Sequence, residues 1–177
     1  ATTFSQELPI VSDNSEISNA FDITKYKKLS TRSDIVGKVS FFVKTITGLS
    51  DDVRISKRLY IPSSRLRGFE KGKVGPVDNN DYIGGNHLSS INMSATLPNI
   101  LEGLDNLDVG VFLDAANIWG VDYDSSLDDK STIRSSVGVG LNLLTPIGPL
   151  SVSFANALTK ASSDKTESFR FNLGTQF

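Results

Sequence analysis

Hydrophobic and polar positions alternate along most of this chain. Leu107, Val109, Val111 and Leu113 fall on one side of their segment, and Asp108, Gly110, Phe112 and Asp114 on the other. Side chains two apart share a face in a strand, so the spacing predicts a strand with one apolar and one polar face. Within 35–48, Ile35, Val39, Phe41 and Val43 oppose Lys38, Ser40, Phe42 and Lys44; within 88–97, Ile91, Met93, Ala95 and Leu97 oppose Ser90, Asn92, Ser94 and Thr96. Residues 133–143, 150–155 and 169–177 repeat the pattern. In the last of these Phe169, Phe171, Leu173, Thr175 and Phe177 lie opposite Arg170, Asn172, Gly174 and Gln176. Two N-terminal stretches, 3–11 and 17–29, alternate less regularly. The chain therefore reads as all-β, with about eight strands and little helix.

Alternation alone fits two architectures. A soluble sandwich turns its apolar faces inward, whereas a membrane barrel turns them to lipid and lines its lumen with the polar ones. The connections separate the two. Gaps at 30–34 and 145–149 are tight and 98–106 is compact, while 49–85 and 120–131 are long. Short turns on one side and long loops on the other are the habit of outer-membrane barrels, as is an aromatic-rich closing strand. The expected fold is an antiparallel transmembrane β-barrel, with residues 1–177 in a single barrel domain.

The long connection, 49–86, carries its own pattern. Its Gly-rich, charged second half interleaves Leu66, Phe69, Val74, Val77, Tyr82 and Ile83 with polar residues. Disordered tracts lack such apolar anchors, and connections of this length in compact proteins are commonly functional. The segment is expected to fold back and dock, with Arg65, Arg67 or Phe69 at its tip.

Composition narrows the chemistry. A net charge of −2 and a pI near 5.4 argue against a nucleic-acid reader, which would carry a basic stripe. There is no Cys and a single histidine, His87, so thiolate or histidine-based metal sites and triads have no material. No run approaches the ~18 apolar residues of a membrane helix. The first residues show no signal-peptide pattern, so for an exported protein the signal is removed or lies upstream. The acidic run from Asp122 to Asp129 lacks the central glycine and closing glutamate of an EF-hand, and reads as a solvated loop. His87 sits near Ser89 and Ser90, but no Gly-x-Ser-x-Gly elbow is present. Gly84-Gly85 follows no phosphate-loop pattern, and Lys25, Lys27 and Lys28 read as an interfacial or lumenal cluster. No enzyme activity, cofactor or metal is expected.

Several motifs then occur together: Arg-Leu-Arg-Gly-Phe from Arg65 to Phe69, Gly75-Pro76, Asp-Tyr-Ile-Gly-Gly-Asn from Asp81 to Asn86, and Asp114-Ala-Ala-Asn-Ile-Trp119. The paired strands around Pro146-Ile-Gly-Pro-Leu150 and the closing segment 169–177 follow in order. From about residue 38 to 177 the chain resembles the BamA-like outer-membrane-protein assembly factor superfamily. That resemblance implies the C-terminal half of a sixteen-strand barrel, whose N-terminal periplasmic modules lie elsewhere. It implies that Arg67, with Gly68 and Phe69 shaping the tip, tucks into the barrel to meet Asp114. A second wall acid of the family corresponds here to Ser94, so that partner is missing or replaced. Phe169, Phe171, Leu173, Gly174 and Phe177 would form the terminal β-signal and one side of a lateral seam. The implied task is folding and insertion of outer-membrane β-barrel proteins. The implied partners are unfolded client chains, outer-membrane lipid and lipopolysaccharide, and accessory lipoproteins or periplasmic modules. A related translocation barrel, or a small passive barrel, is the alternative. The expected location is the outer membrane of a Gram-negative bacterium or an organelle.

Overall fold

The structure, a computed structural model, describes residues 1–9, 16–30, 34–98, 107–127, 132–145 and 148–173. Ten strands follow in order: β1 (Thr2–Glu7), β2 (Glu16–Lys28), β3 (Val36–Gly48), β4 (Val77–Asp78), β5 (Asp81–Tyr82), β6 (His87–Pro98), β7 (Leu107–Trp119), β8 (Arg134–Thr145), β9 (Gly148–Thr159) and β10 (Phe169–Leu173). Eight of them form one antiparallel sheet in the order β1-β2-β3-β6-β7-β8-β9-β10, so each strand pairs with its sequence neighbour once the long loop is set aside. Strands β4 and β5 make a small hairpin inside that loop.

Most strand limits agree with the alternation; the departures have local causes. The first strand stops at Glu7, ahead of Pro9, which has no N–H to give the ladder; residues 10 and 11 of the expected stretch lie outside the described residues. Strand β9 continues past Ala155 to Thr159, although polar Asn156 breaks the apolar face. Asn156 stays in register with Val137, and an irregularity in the pairing with β8 follows at Ser135/Ser136. Strand β7 continues past Asp114 to Trp119, where Ala116 and Ile118 are buried on the side that should be polar. Gly174 and Phe177 lie outside the described residues.

The two faces have inverted roles. Val39, Met93, Leu113 and Val137 stand in one cross-strand row and are 46%, 40%, 37% and 42% exposed. The next row, Ser40, Asn92, Asp114 and Ser136, lies on the covered face, with Asp114 and Ser136 fully buried. A soluble sandwich would bury the first row and wet the second; the observed arrangement suits lipid outside and a polar interior.

The sheet also curves around the loop. The guanidinium of Arg170 on β10 donates to Ser63 O, and two residues later Arg65 pairs with Asp22 on β2. In a flat sheet those strands would stand roughly 29 Å apart, six steps of about 4.8 Å. Two loop residues span at most about 7 Å, so only a concave sheet brings both walls within arginine reach. Between loop and wall sits the hydrophobic core: Ile61, Leu66, Phe69 and Val74 from the loop, Leu88, Ala116 and Ile118 from β6 and β7. This explains the phase break in β7, because the upper part of its inner face is covered by protein rather than by water.

Candidate functional site

Three arginines of the loop from β3 to β6 are built on the same plan, two of them on the inner wall and the third on the connection after β7. Arg67 holds Asp114 with two parallel bonds, Nε to Oδ2 at 2.7 Å and Nη2 to Oδ1 at 2.8 Å. Its guanidinium carbon lies 3.4 Å from the ring centroid of Phe112. Arg65 pairs with Asp22 and lies 3.9 Å from the ring centroid of Phe42. Arg58, its side chain fully buried, pairs with Asp122 and faces the Tyr123 ring at 5.0 Å. A planar, permanently charged fork can bind a carboxylate along its edge while its face rests on an aromatic ring, which an ammonium cannot do. Phe42 and Phe112, which the alternation placed on the polar face, are these stacking platforms.

Asp114 has further donors. Besides the guanidinium it accepts the Arg67 main-chain N–H at 3.1 Å on Oδ2 and the Asn92 amide at 2.9 Å on Oδ1. Asn92 also donates to Arg65 O at 2.7 Å, so one side chain of β6 ties both tip arginines to the wall. The wall partners that the sequence did not single out are therefore Asp22 and Asn92. Ser94, the position of the second family acid, lines the space beneath the tip, and the second acid is supplied by Asp22 of β2. An acid at the centre of an alternating strand, between Phe21 and Ile23, was the available signal.

Gly68 lets the tip come this close. It has φ +85°, and a Cβ there would lie 3.0 Å from Ala155 Cβ and 3.3 Å from Ser136 Cβ. A side chain would be strained in conformation and crowded against β8 and β9. Phe69, next in line, is 2% exposed and joins the core under the loop. Beneath the tip a cavity of about 630 Å³ opens, lined among others by Asp22, Thr24, Lys38, Ser40, Arg67 and Lys71.

The segment from Asp122 to Ser126 is exposed, as the sequence suggested, but Asp122 is also an anchor: it accepts from Val53 N at 2.7 Å and the Asn86 amide at 2.9 Å, and it pairs with Arg58. Burial pushes its carboxyl up, and these donors together with its own backbone N–H outweigh that effect. The carboxyl is held below the ordinary value.

The terminal strand places Phe169, Phe171 and Leu173 outward, each at least half exposed, with the Phe169 and Phe154 rings 5.1 Å apart. Arg170 and Asn172 face inward. Among the described residues β10 pairs only with β9, through five residue pairs.

The family model described as the Omp85 superfamily domain matches residues 2–177. The outer membrane protein assembly factor BamA of Neorickettsia risticii is 30% identical over 128 residues, 71% of this chain and 17% of that protein. Its namesake from Neisseria meningitidis is 30% identical over 141 residues, 63% of this chain and 17% of the relative. The chain thus matches about one sixth of the length of each. A crystal structure of BamA from Haemophilus ducreyi lacking POTRA domains 1-3 superposes with a TM-score of 0.84, over 97% of this chain and 37% of the other, at 24% identity.

Proposed function

This chain belongs to the Omp85 superfamily of outer-membrane barrels, and from that membership we propose that it is the C-terminal barrel part of an assembly factor that folds and inserts β-barrel proteins. The observation that carries the reading is the docked tip, with Arg67 bound edge-on to a fully buried Asp114 inside a sheet whose outer face is apolar. No bond is made or broken in such work. What is catalysed is the exchange of backbone hydrogen bonds. A client strand cannot enter hydrocarbon with unpaired N–H and C=O groups, because each unsatisfied group costs several kcal/mol there.

The edge of β10 offers a template for that exchange. Among the described residues β10 pairs with β9 alone, and its other edge can accept a client strand by β-augmentation. The docked loop fills the lumen beside this edge. Unfolded outer-membrane chains are the clients, the surrounding lipid and lipopolysaccharide the solvent, and accessory lipoproteins or periplasmic modules the delivery partners. The test is the folding rate of an unrelated barrel protein into liposomes that contain the full-length protein, followed by the gel shift of the folded form. Acceleration is expected. No acceleration, with export of a soluble passenger instead, would replace insertion by translocation; neither activity would make it a passive barrel.

A further inference from the structure

The loop is fastened at a second place, to the connection between β9 and β10. Gly68 O accepts from Glu167 N at 3.1 Å, Glu70 N donates to Lys165 O at 3.0 Å, and Lys165 N donates to Lys73 O at 3.0 Å. These bonds lay the loop alongside the connection as a short antiparallel ladder, with Phe69 opposite Thr166. Beside it Asp164 is saturated. Oδ2 accepts Arg134 Nε at 2.9 Å and Ala161 N at 2.6 Å; Oδ1 accepts Arg134 Nη2 at 3.2 Å and Gly75 N at 3.1 Å. Both side chains of this ion pair are fully buried, so one carboxylate gathers β8, the loop and the terminal hairpin.

The ladder ends at Arg170, the first inward residue of β10. Its Nη2 donates to Phe69 O at 2.6 Å and its Nη1 to Ser63 O at 3.3 Å, while Nε and Nη2 hold Glu167 at 2.9 and 2.5 Å. One guanidinium of the terminal strand thus clamps the tip at both of its ends, with 13% of its side chain exposed. If β10 moved away, two loop carbonyls would lose a charged donor.

We propose that Arg170 is a positioning residue through which the loop tip and the terminal strand move as one unit, so that β10 is released only when the tip lets go. This deepens the reading above and rests on it for the meaning of that release, β10 being the strand to which clients add. The route is physical contact at every step: Asp114 to Arg67, Arg67 through Gly68 to Phe69, and Phe69 to Arg170. Charge alone does not explain the choice of residue. A lysine at 170 could reach one carbonyl, whereas the fork reaches both and Glu167 together.

Hydrogen exchange on the full-length protein in lipid nanodiscs tests this, because local opening is read amide by amide. Arg170→Gln is expected to speed exchange about tenfold in two separate segments, 63–70 and 169–173, while 107–113 of β7 keeps its protection, in line with loss of charge-assisted bonds. Arg67→Ala, at the far fastening, is expected to speed 169–173 as well. Faster exchange in only one segment after either substitution overturns the coupling. If Arg170→Gln does not give the heat-resistant folded form, Arg170→Lys carries the test, with about a threefold rise expected in both segments by the same reasoning. Client insertion by the same variants is a separate readout. Coupled exchange with an unchanged insertion rate would remove β10 from the insertion mechanism and leave the coupling intact.

Discussion

Two of the ion pairs around the loop differ in everything except chemistry. Arg67–Asp114 stands at the rim of a cavity: the acid is fully buried, but 26% of the arginine side chain is exposed. Arg134–Asp164 has no exposed side chain on either partner. If one partner is lost, the first pair leaves a cation that can turn toward water, and the second leaves a charge with nowhere to go. A lumenal contact of the first kind suits a docking that can be reversed, and one of the second kind suits a permanent fixture.

The largest effect is therefore expected at the pair with no visible functional motif. Asp164→Ala removes the carboxylate that Arg134 Nε and Nη2, Gly75 N and Ala161 N share, and is expected to cost about 3–5 kcal/mol, read from the denaturant midpoint of the folded barrel. Arg134→Met with Asp164→Leu should recover part of this, but not all, because the two main-chain donors stay orphaned. Asp114→Ala is expected to cost less, about 2 kcal/mol, since Arg67 can reach the cavity. Equal losses at the two acids would break the comparison. The charge swap Arg67→Asp with Asp114→Arg sharpens it: no rescue is expected, as an arginine at 114 would face the Asn92 amide and the residue 67 N–H, both donors.

A third pair gives a pH-dependent effect. The Asp122 carboxyl is held below its ordinary value of 3.8, so it stabilises the folded state above that value and stops doing so as pH falls through the folded one. Exchange at Val53 and its neighbours should rise as the pH is lowered below about 4, and Asp122→Asn should flatten that profile. The smallest effect belongs to Lys28–Asp34, 55% and 76% exposed at the side chains. Lys28→Ala is expected to leave the unfolding midpoint unchanged, since exposed pairs trade hydration for little.

The sheet was legible in the sequence because lipid and lumen impose opposite demands on neighbouring residues. Val39, Met93, Leu113 and Val137 announce an apolar face however far apart they lie in the chain. The alternation became ambiguous where the loop covers the wall: Ala116 and Ile118 of β7 are apolar on the inner face because Val74 and Phe69 pack there. Arg67 and Asp114 were legible through resemblance to a family, and the geometry brings them together. Asp22, Asp164 and Arg170 were not, since an arginine or aspartate on a polar face looks the same whether it meets water or a partner a hundred residues away. The bonds of Asp122 were hidden for the same reason: the residue is exposed, as its acidic neighbours suggested, and only the fold brings Arg58 to it.

The placement of the loop also constrains the order in which the molecule can be made. The tip lies between β3 and β6, yet several of its partners belong to the hairpin of β9 and β10. Contacts so distant along the chain form late, after a long closure. Asp22, Asn92 and Asp114 can receive the arginines while the sheet is still growing. Asp164 and Arg170 can only arrive afterwards, laying the final hairpin over a segment already in place. A tip left outside when that hairpin settled would have no way in, short of peeling the hairpin back. Early capture by the first wall strands is thus a safeguard against a misassembly that later folding could not repair.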